Sequence, residues 1–155
     1  MITDNINIKE QYILIDHEAE TQYQALEDLC KPLVEDKVIK KEYVDAVIER
    51  EKIWPTGLPT QPIGVAIPHA DGKNLVNKSS LAIAVLKEPI LFNEAGGSDD
   101  KKINVKVIFL ISMDSSEGQI AILQALNRLF LDKEYLSKMG CAKSSKEVIG
   151  ILSKI

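Results

Sequence analysis

In the segment GVAIPHADG, residues 64–72, an apolar run breaks on Pro68 and at once presents His69. Proline has no N–H to give a sheet ladder and stands at strand ends or edges, so pairing should stop just as the chain reaches an imidazole. That puts His69 at the lip of a sheet. Asp71 and Gly72 beyond it have turn chemistry, which brings further backbone N–H groups close by. A neutral imidazole nitrogen is a good nucleophile toward phosphorus. A single histidine at a strand end is a weak signal, however, and its weight depends on its neighbours.

Two other residues supply company. Tyr43, Val47 and Arg50 stand at i, i+4 and i+7 and share a stripe, so Arg50 extends a face expected to be buried. Two roles are open to it: bonding the orphan carbonyls of a last helical turn ahead of Pro55, or facing an anion whose oxygens match its fork of donors. Gln119, Leu123, Leu126 and Phe130 form a second stripe with a polar residue at its N-terminal end. Gln119 is either a solvated first-turn residue or an amide placed beside free N–H groups at the positive end of a helix, where negative charge is received.

Together these groups fit phosphoryl transfer. A cationic fork and fixed N–H donors stabilise the charged equatorial oxygens of the group in flight while the imidazole attacks. Such chemistry is mostly positioning and charge stabilisation and calls for no metal or cofactor.

The elements that must position these residues are legible in the hydrophobic periods. YILID (12–16) reads as a first strand, and TQYQALEDLCKPLVEDK (21–37) as a helix with Leu26, Leu29, Cys30, Leu33 and Val34 at helical spacing. Thr21 and Gln24 fit a capping box, and Pro32 is expected to kink or break the helix. A second helix carries Tyr43, Val44, Val47 and Ile48 on one face and ends before Pro55. Turn residues from Leu58 lead to three strand candidates, VAI (65–67), SLAIAVLKEPI (80–90) and INVKVIFLIS (103–112), with NEAGGSDDKK as an exposed loop between the last two. VIFLI (107–111) is continuously apolar, as a central strand covered on both faces should be. Helical period returns in QIAILQALNRLF and in SSKEVIGILSKI, the latter capped by Ser144 or Ser145. The order is strand, two helices, several strands, two or three helices. It predicts one α/β domain over residues 1–155, a mixed central sheet with helices on both faces.

Bulk properties exclude several functions. A formal net charge of −4 and scattered Lys and Arg do not make the clustered basic surface of a nucleic-acid binder. No apolar run approaches a membrane span, and MITDNINIKEQY has neither a basic nor a long apolar leader region, so the expected location is the cytoplasm with no membrane insertion. Cys30 and Cys141 lie far apart without a CxxC or a histidine neighbour and read as reduced thiols. A hydrolase or metal enzyme finds no GxSxG elbow, no HExxH and no conventional zinc set. The Gly96–Gly97 pair runs into Asp99 and Asp100, which would repel a nucleotide phosphate.

REKIWPTGL (50–58), IGVAIPHAD (63–71) and QIAILQAL (119–126) together resemble the EIIA component of the bacterial phosphoenolpyruvate-dependent sugar phosphotransferase system, in its fructose and mannitol superfamily. The resemblance covers essentially the whole chain. It implies that His69 accepts a phosphoryl group from the phosphohistidine of HPr, through Nε2, and passes it to a cysteine of a cognate EIIB, with the membrane component EIIC involved indirectly. It implies that Arg50 lies beside the phosphorylated histidine and that Thr56 and Gly57 form a binding loop before the site. Cys30 and Cys141 are not the acceptor cysteine, and His17 matches no family position.

One departure from the family pattern is chemical. Fructose- and mannitol-type members commonly carry a second active-site histidine where this chain has Gln119, and a glutamine donates a hydrogen bond but takes up no proton at neutral pH. Loss of that histidine resembles the galactitol-type branch; the expected sugar is galactitol-like or fructose-like. The alternative is a nitrogen-type regulatory EIIA, phosphorylated on the same histidine but acting by binding other proteins.

Overall fold

The computed structural model describes residues 2–97 and 100–155. Five strands, β1 (Ile13–His17), β2 (Gly57–Leu58), β3 (Gly64–Ala66), β4 (Ser80–Asn93) and β5 (Lys102–Ser112), form one sheet in the order β1-β4-β5-β3-β2. Pairing is parallel for β1 with β4 and for β3 with β5, and antiparallel for β4 with β5 and for β2 with β3. The sheet is therefore mixed, as expected. β2 is an addition to the sequence reading, because two residues carry no period.

The alternation of β4 and β5 divides two cores. Leu81, Ile83, Val85, Val107, Phe109 and Ile111 face one side, and Ala82, Ala84, Leu86, Ile108 and Leu110 the other. Both sets are buried, which is why VIFLI shows no polar gap. Helices α1 (Gln22–Glu35) and α2 (Glu42–Ile53) cover the alanine-rich face, where short side chains let Leu26, Leu29 and Leu33 approach the sheet. Helices α3 (Ser116–Phe130), α4 (Lys133–Gly140) and α5 (Ser145–Leu152) cover the other, with Phe130 edge-on to Phe109 at 5.4 Å between ring centres.

Local signals explain the element ends. Thr21 Oγ1 accepts from the Gln24 N–H at 3.1 Å, while the Gln24 side chain reaches back to the N–H of Glu20 rather than of Thr21. Ser144, not Ser145, caps α5 by accepting from Glu147 N–H. Pro32 neither ends nor splits α1, which runs on to Glu35: Leu29, Cys30 and Leu33 around it are fully buried, and their packing outweighs one missing backbone bond. In β4 the register shifts between Val85 and Ile90, where Pro89 has no N–H for the ladder, and pairing then resumes to Asn93. The connection from β4 to β5 includes Ser98 and Asp99, which fall outside the described residues, so the loop expected there is seen only in part. Cys30 and Cys141 are both free, and burial pushes the Cys30 thiol up to about 12.

Candidate functional site

β3 and β5 run parallel, so their C-terminal ends reach the same edge of the sheet, the edge at which open α/β sheets place their ligands. Pro68 follows β3, and although it donates nothing its carbonyl accepts from the Ile111 N–H at 3.0 Å, carrying the chain along β5 for one more step. His69 then leaves the sheet. Gly72 passes so close to the Met113 carbonyl that a Cβ there would stand 2.0 Å from the oxygen, so only glycine lets the His69 loop lie against the segment after β5. From the helical side, the Tyr43 hydroxyl accepts from Ala70 N–H at 3.2 Å and donates to the Ile111 carbonyl at 2.9 Å.

This arrangement leaves a cleft of about 520 Å³, lined among others by Arg50, His69, Asp71, Lys73, Asp114 and Gln119. Three residues drawn from α2, the loop after β3 and the first turns of α3 are thus brought together, though 50 and 119 are far apart in sequence. Thr56 and Gly57 do not line it. Both are buried: Thr56 in a hydrogen-bond network with Glu51, and Gly57 in β2, where a Cβ would meet the Asn93 carbonyl at 2.6 Å. His17 is elsewhere, its Nε2 paired with Asp28 Oδ2 at 2.8 Å.

The His69 ring is half-buried and its Nδ1 lies 2.6 Å from the Ile67 carbonyl oxygen. A carbonyl only accepts, so Nδ1 carries the proton and donates it there. Nε2 is left with its lone pair and makes no hydrogen bond among the described residues. Burial holds the imidazole below its usual pKa; the Ile67 bond opposes this, and the Arg50 guanidinium adds a smaller lowering. The ring is accordingly neutral near pH 7.

Arg50 departs from the expected burial. Tyr43 and Val47 are fully buried, but Arg50 is exposed on the cleft wall, because the buried face of α2 continues through Glu51 rather than Arg50. Its guanidinium sits 5.9 Å from the centre of the Trp54 ring and makes no hydrogen bond or ion pair among the described residues. It does not cap the last turn, since it is the backbone N–H of Trp54 that bonds the Arg50 carbonyl, at 2.7 Å. A fork of donors is therefore uncommitted at the cleft. Gln119 is half-buried in the second turn of α3; its own N–H bonds the Ser115 carbonyl, and Ser115 Oγ accepts from Gly118 N–H. The N–H groups of Ser116 and Glu117 have no acceptor within the helix, as at any helix start.

One member of this assembly is absent from the residues that the sequence singled out. Glu51 adjoins Arg50 but points inward and is 2% exposed, its carboxylate accepting from both the N–H and the hydroxyl of Thr56. A charged residue in a lysine- and glutamate-rich helix end reads as solvated; the stripe Tyr43, Val47 and Glu51 at steps of four marks its inward face.

A mixed sheet with a tautomerically fixed imidazole, an uncommitted guanidinium and a helix start around one cleft defines a fold and site suited to carrying an anionic group. Residues 7–155 match the model of the family described as phosphoenolpyruvate-dependent sugar phosphotransferase system, EIIA 2, and the chain belongs to that family. It is a phosphotransferase that carries a phosphoryl group by way of a histidine, in the service of sugar uptake. The chain is 23% identical to the ascorbate-specific PTS system EIIA component of Escherichia coli K12 over 142 residues, 92% of this chain and 89% of the relative. Its fold matches enzyme IIAMTL in the complex with phosphorylated enzyme IIBMTL from E. coli, with TM-score 0.80, 23% identity and coverage of 96% and 100% of the two chains. It also matches the nitrogen regulatory protein IIA-Ntr of Neisseria meningitidis, with TM-score 0.73, 25% identity and coverage of 94% and 95%. No helix among the described residues is long and apolar enough to cross a membrane.

Proposed function

We propose that His69 is the phosphoryl acceptor, taking the group from the phosphohistidine of HPr and passing it to the cysteine of a cognate EIIB. The observation that carries this is the 2.6 Å contact of Nδ1 with the Ile67 carbonyl, which leaves Nε2 as a neutral nucleophile in a cleft shared with Arg50. The Nε2 lone pair forms the new N–P bond as the P–N bond of the donor breaks and its electron pair returns to the donor's imidazole. Charge on the three equatorial oxygens is met by the Arg50 guanidinium, by the Gln119 amide and by the first N–H groups of α3. Asp71 and Asp114 also line the cleft, so the bound phosphoryl group is not neutralised outright. That suits a carrier, which must release what it accepts. In the second transfer the EIIB thiolate attacks phosphorus and Nε2 leaves with its lone pair restored.

His69→Ala should fold but take no label from phosphoenolpyruvate, enzyme I and HPr, whereas His17→Ala labels normally. Label retained by the His69 variant refutes the assignment.

Gln119 in place of a second histidine supports a galactitol-like system over a fructose-like one, while the relatives are named for ascorbate and mannitol. A panel of purified EIIB proteins for all four sugars, scored for transfer from the labelled chain, decides among them. A regulatory reading, favoured by the likeness to IIA-Ntr, predicts label uptake from the donor with transfer to none of the EIIB proteins.

A further inference from the structure

Glu51 is a carboxylate in the wrong place for helix stability. It lies in the last turn of α2, where the helix dipole disfavours negative charge, and it is buried with no cation paired to it among the described residues. Burial pushes its carboxyl up to about 7, even though the two Thr56 donors oppose the rise. Nothing in the transfer chemistry described above uses it.

Its bonds lead directly to the imidazole. Glu51 Oε2 accepts from Thr56 N–H at 2.8 Å and Oε1 from the Thr56 hydroxyl at 2.7 Å. The Thr56 hydroxyl proton being spent on Glu51, the lone pairs of Oγ1 accept from Ile67 N–H at 3.2 Å. Ile67 is then tied at both polar groups, because its carbonyl accepts the Nδ1–H of His69. Ile67 also lies just past β3, where the ladder to β5 no longer fixes its N–H.

We propose that Glu51 is a positioning residue: acting through Thr56, it orients Ile67 so that the Ile67 carbonyl keeps the His69 proton on Nδ1 and leaves Nε2 open to phosphorus. This rests on the reading of His69 as the acceptor. It gives Thr56 a function behind the imidazole rather than in contact with the phosphoryl group.

The test separates ring tautomer from transfer. In the wild-type chain, two-bond proton–nitrogen correlation spectra of the His69 ring at pH 8 should show Nδ1 protonated and Nε2 bare. Thr56→Val keeps the shape but removes the hydroxyl, and it should give a mixed tautomer and a transfer rate lower by about tenfold or more with the KM for phospho-HPr little changed. Thr56→Ser should restore both. Glu51→Gln, which can satisfy only one of the two Thr56 donors, should fall between. A wild-type ring protonated on Nε2, or a folded Thr56→Val chain whose ring signals match the wild type, overturns the proposal whatever the rate does. Should the Gln variant fail to fold, the Val and Ser pair and the wild-type spectrum still decide. Label on His69→Ala would instead sink the acceptor assignment and leave the tautomer result standing.

Discussion

The hydroxyl of Tyr43 accepts the N–H of Ala70 at 3.2 Å, clamping the residue next to His69 to a helix 27 positions earlier. Tyr43 is fully buried and its hydroxyl also donates to the Ile111 carbonyl, so one side chain ties α2, the His69 loop and β5 together. Burial pushes its phenol well above the usual tyrosine value, so the hydroxyl keeps its proton throughout the working range.

Tyr43→Phe should therefore cost about 1–3 kcal/mol, the penalty for leaving a buried N–H and carbonyl unpaired with no change in shape. Urea denaturation monitored by circular dichroism measures it. A loss under about 0.5 kcal/mol would mean that the loop is held by its other contacts.

Arg50→Ala should slow transfer by about a hundredfold or more, because its donors act on charge that develops in flight. The same change should move stability by less than about 0.5 kcal/mol, since the side chain is exposed and makes no ion pair among the described residues. Quench-flow labelling beside a denaturation curve checks both. Parallel losses of rate and stability would assign Arg50 a structural role instead.

The His69 ring must be neutral to attack, and its pKa is lowered from 6.5 by burial first and by Arg50 in addition. Acceptance of the phosphoryl group should therefore hold level from alkaline pH down past 6.5 and fall only below that. In Arg50→Ala the fall should begin at higher pH. A wild-type midpoint above 6.5, or no upward shift in the variant, contradicts the assigned electrostatics.

Glu51 makes stability depend on pH in the direction opposite to most carboxylates. Its folded pKa of about 7 stands above the ordinary 4.5, so between those values the folded chain keeps a proton that the unfolded chain releases. Its contribution is present below about 4.5, declines as pH rises to about 7 and is level above that, by as much as about 3 kcal/mol in all. His69, with its lowered pKa, works the other way below 6.5, so the comparison is wild type against Glu51→Gln. That difference should change across the window from pH 5 to 7; a constant difference refutes it.

Gln119→Ala should reduce transfer less than Arg50→Ala does, about tenfold at most, since it removes a neutral donor where helix N–H groups remain. Labelling rates measured in parallel decide this. An unchanged rate would assign the oxyanion contact to the backbone of α3 alone.

Apolar periods in the chain determined its layers. The stripe in α1, the unbroken run VIFLI and the return of helical spacing after Met113 suffice for a sheet covered on both faces, because burial of side chains at a fixed period is a local property. The same holds for His69, since a proline at the end of an apolar run stops the ladder wherever it occurs. Arg50 was legible as a cleft residue only in its chemistry: its stripe predicted burial, and the buried face of α2 passing through Glu51 instead left it exposed. What tertiary structure alone decided was convergence. Parallel pairing of β3 with β5 set His69 beside the start of α3, and the inward turn of Glu51 placed a buried carboxylate behind the ring. Spacing marks the inward face of Glu51 but neither its Thr56 partner nor the strand order, because both depend on contacts between separate segments of the chain.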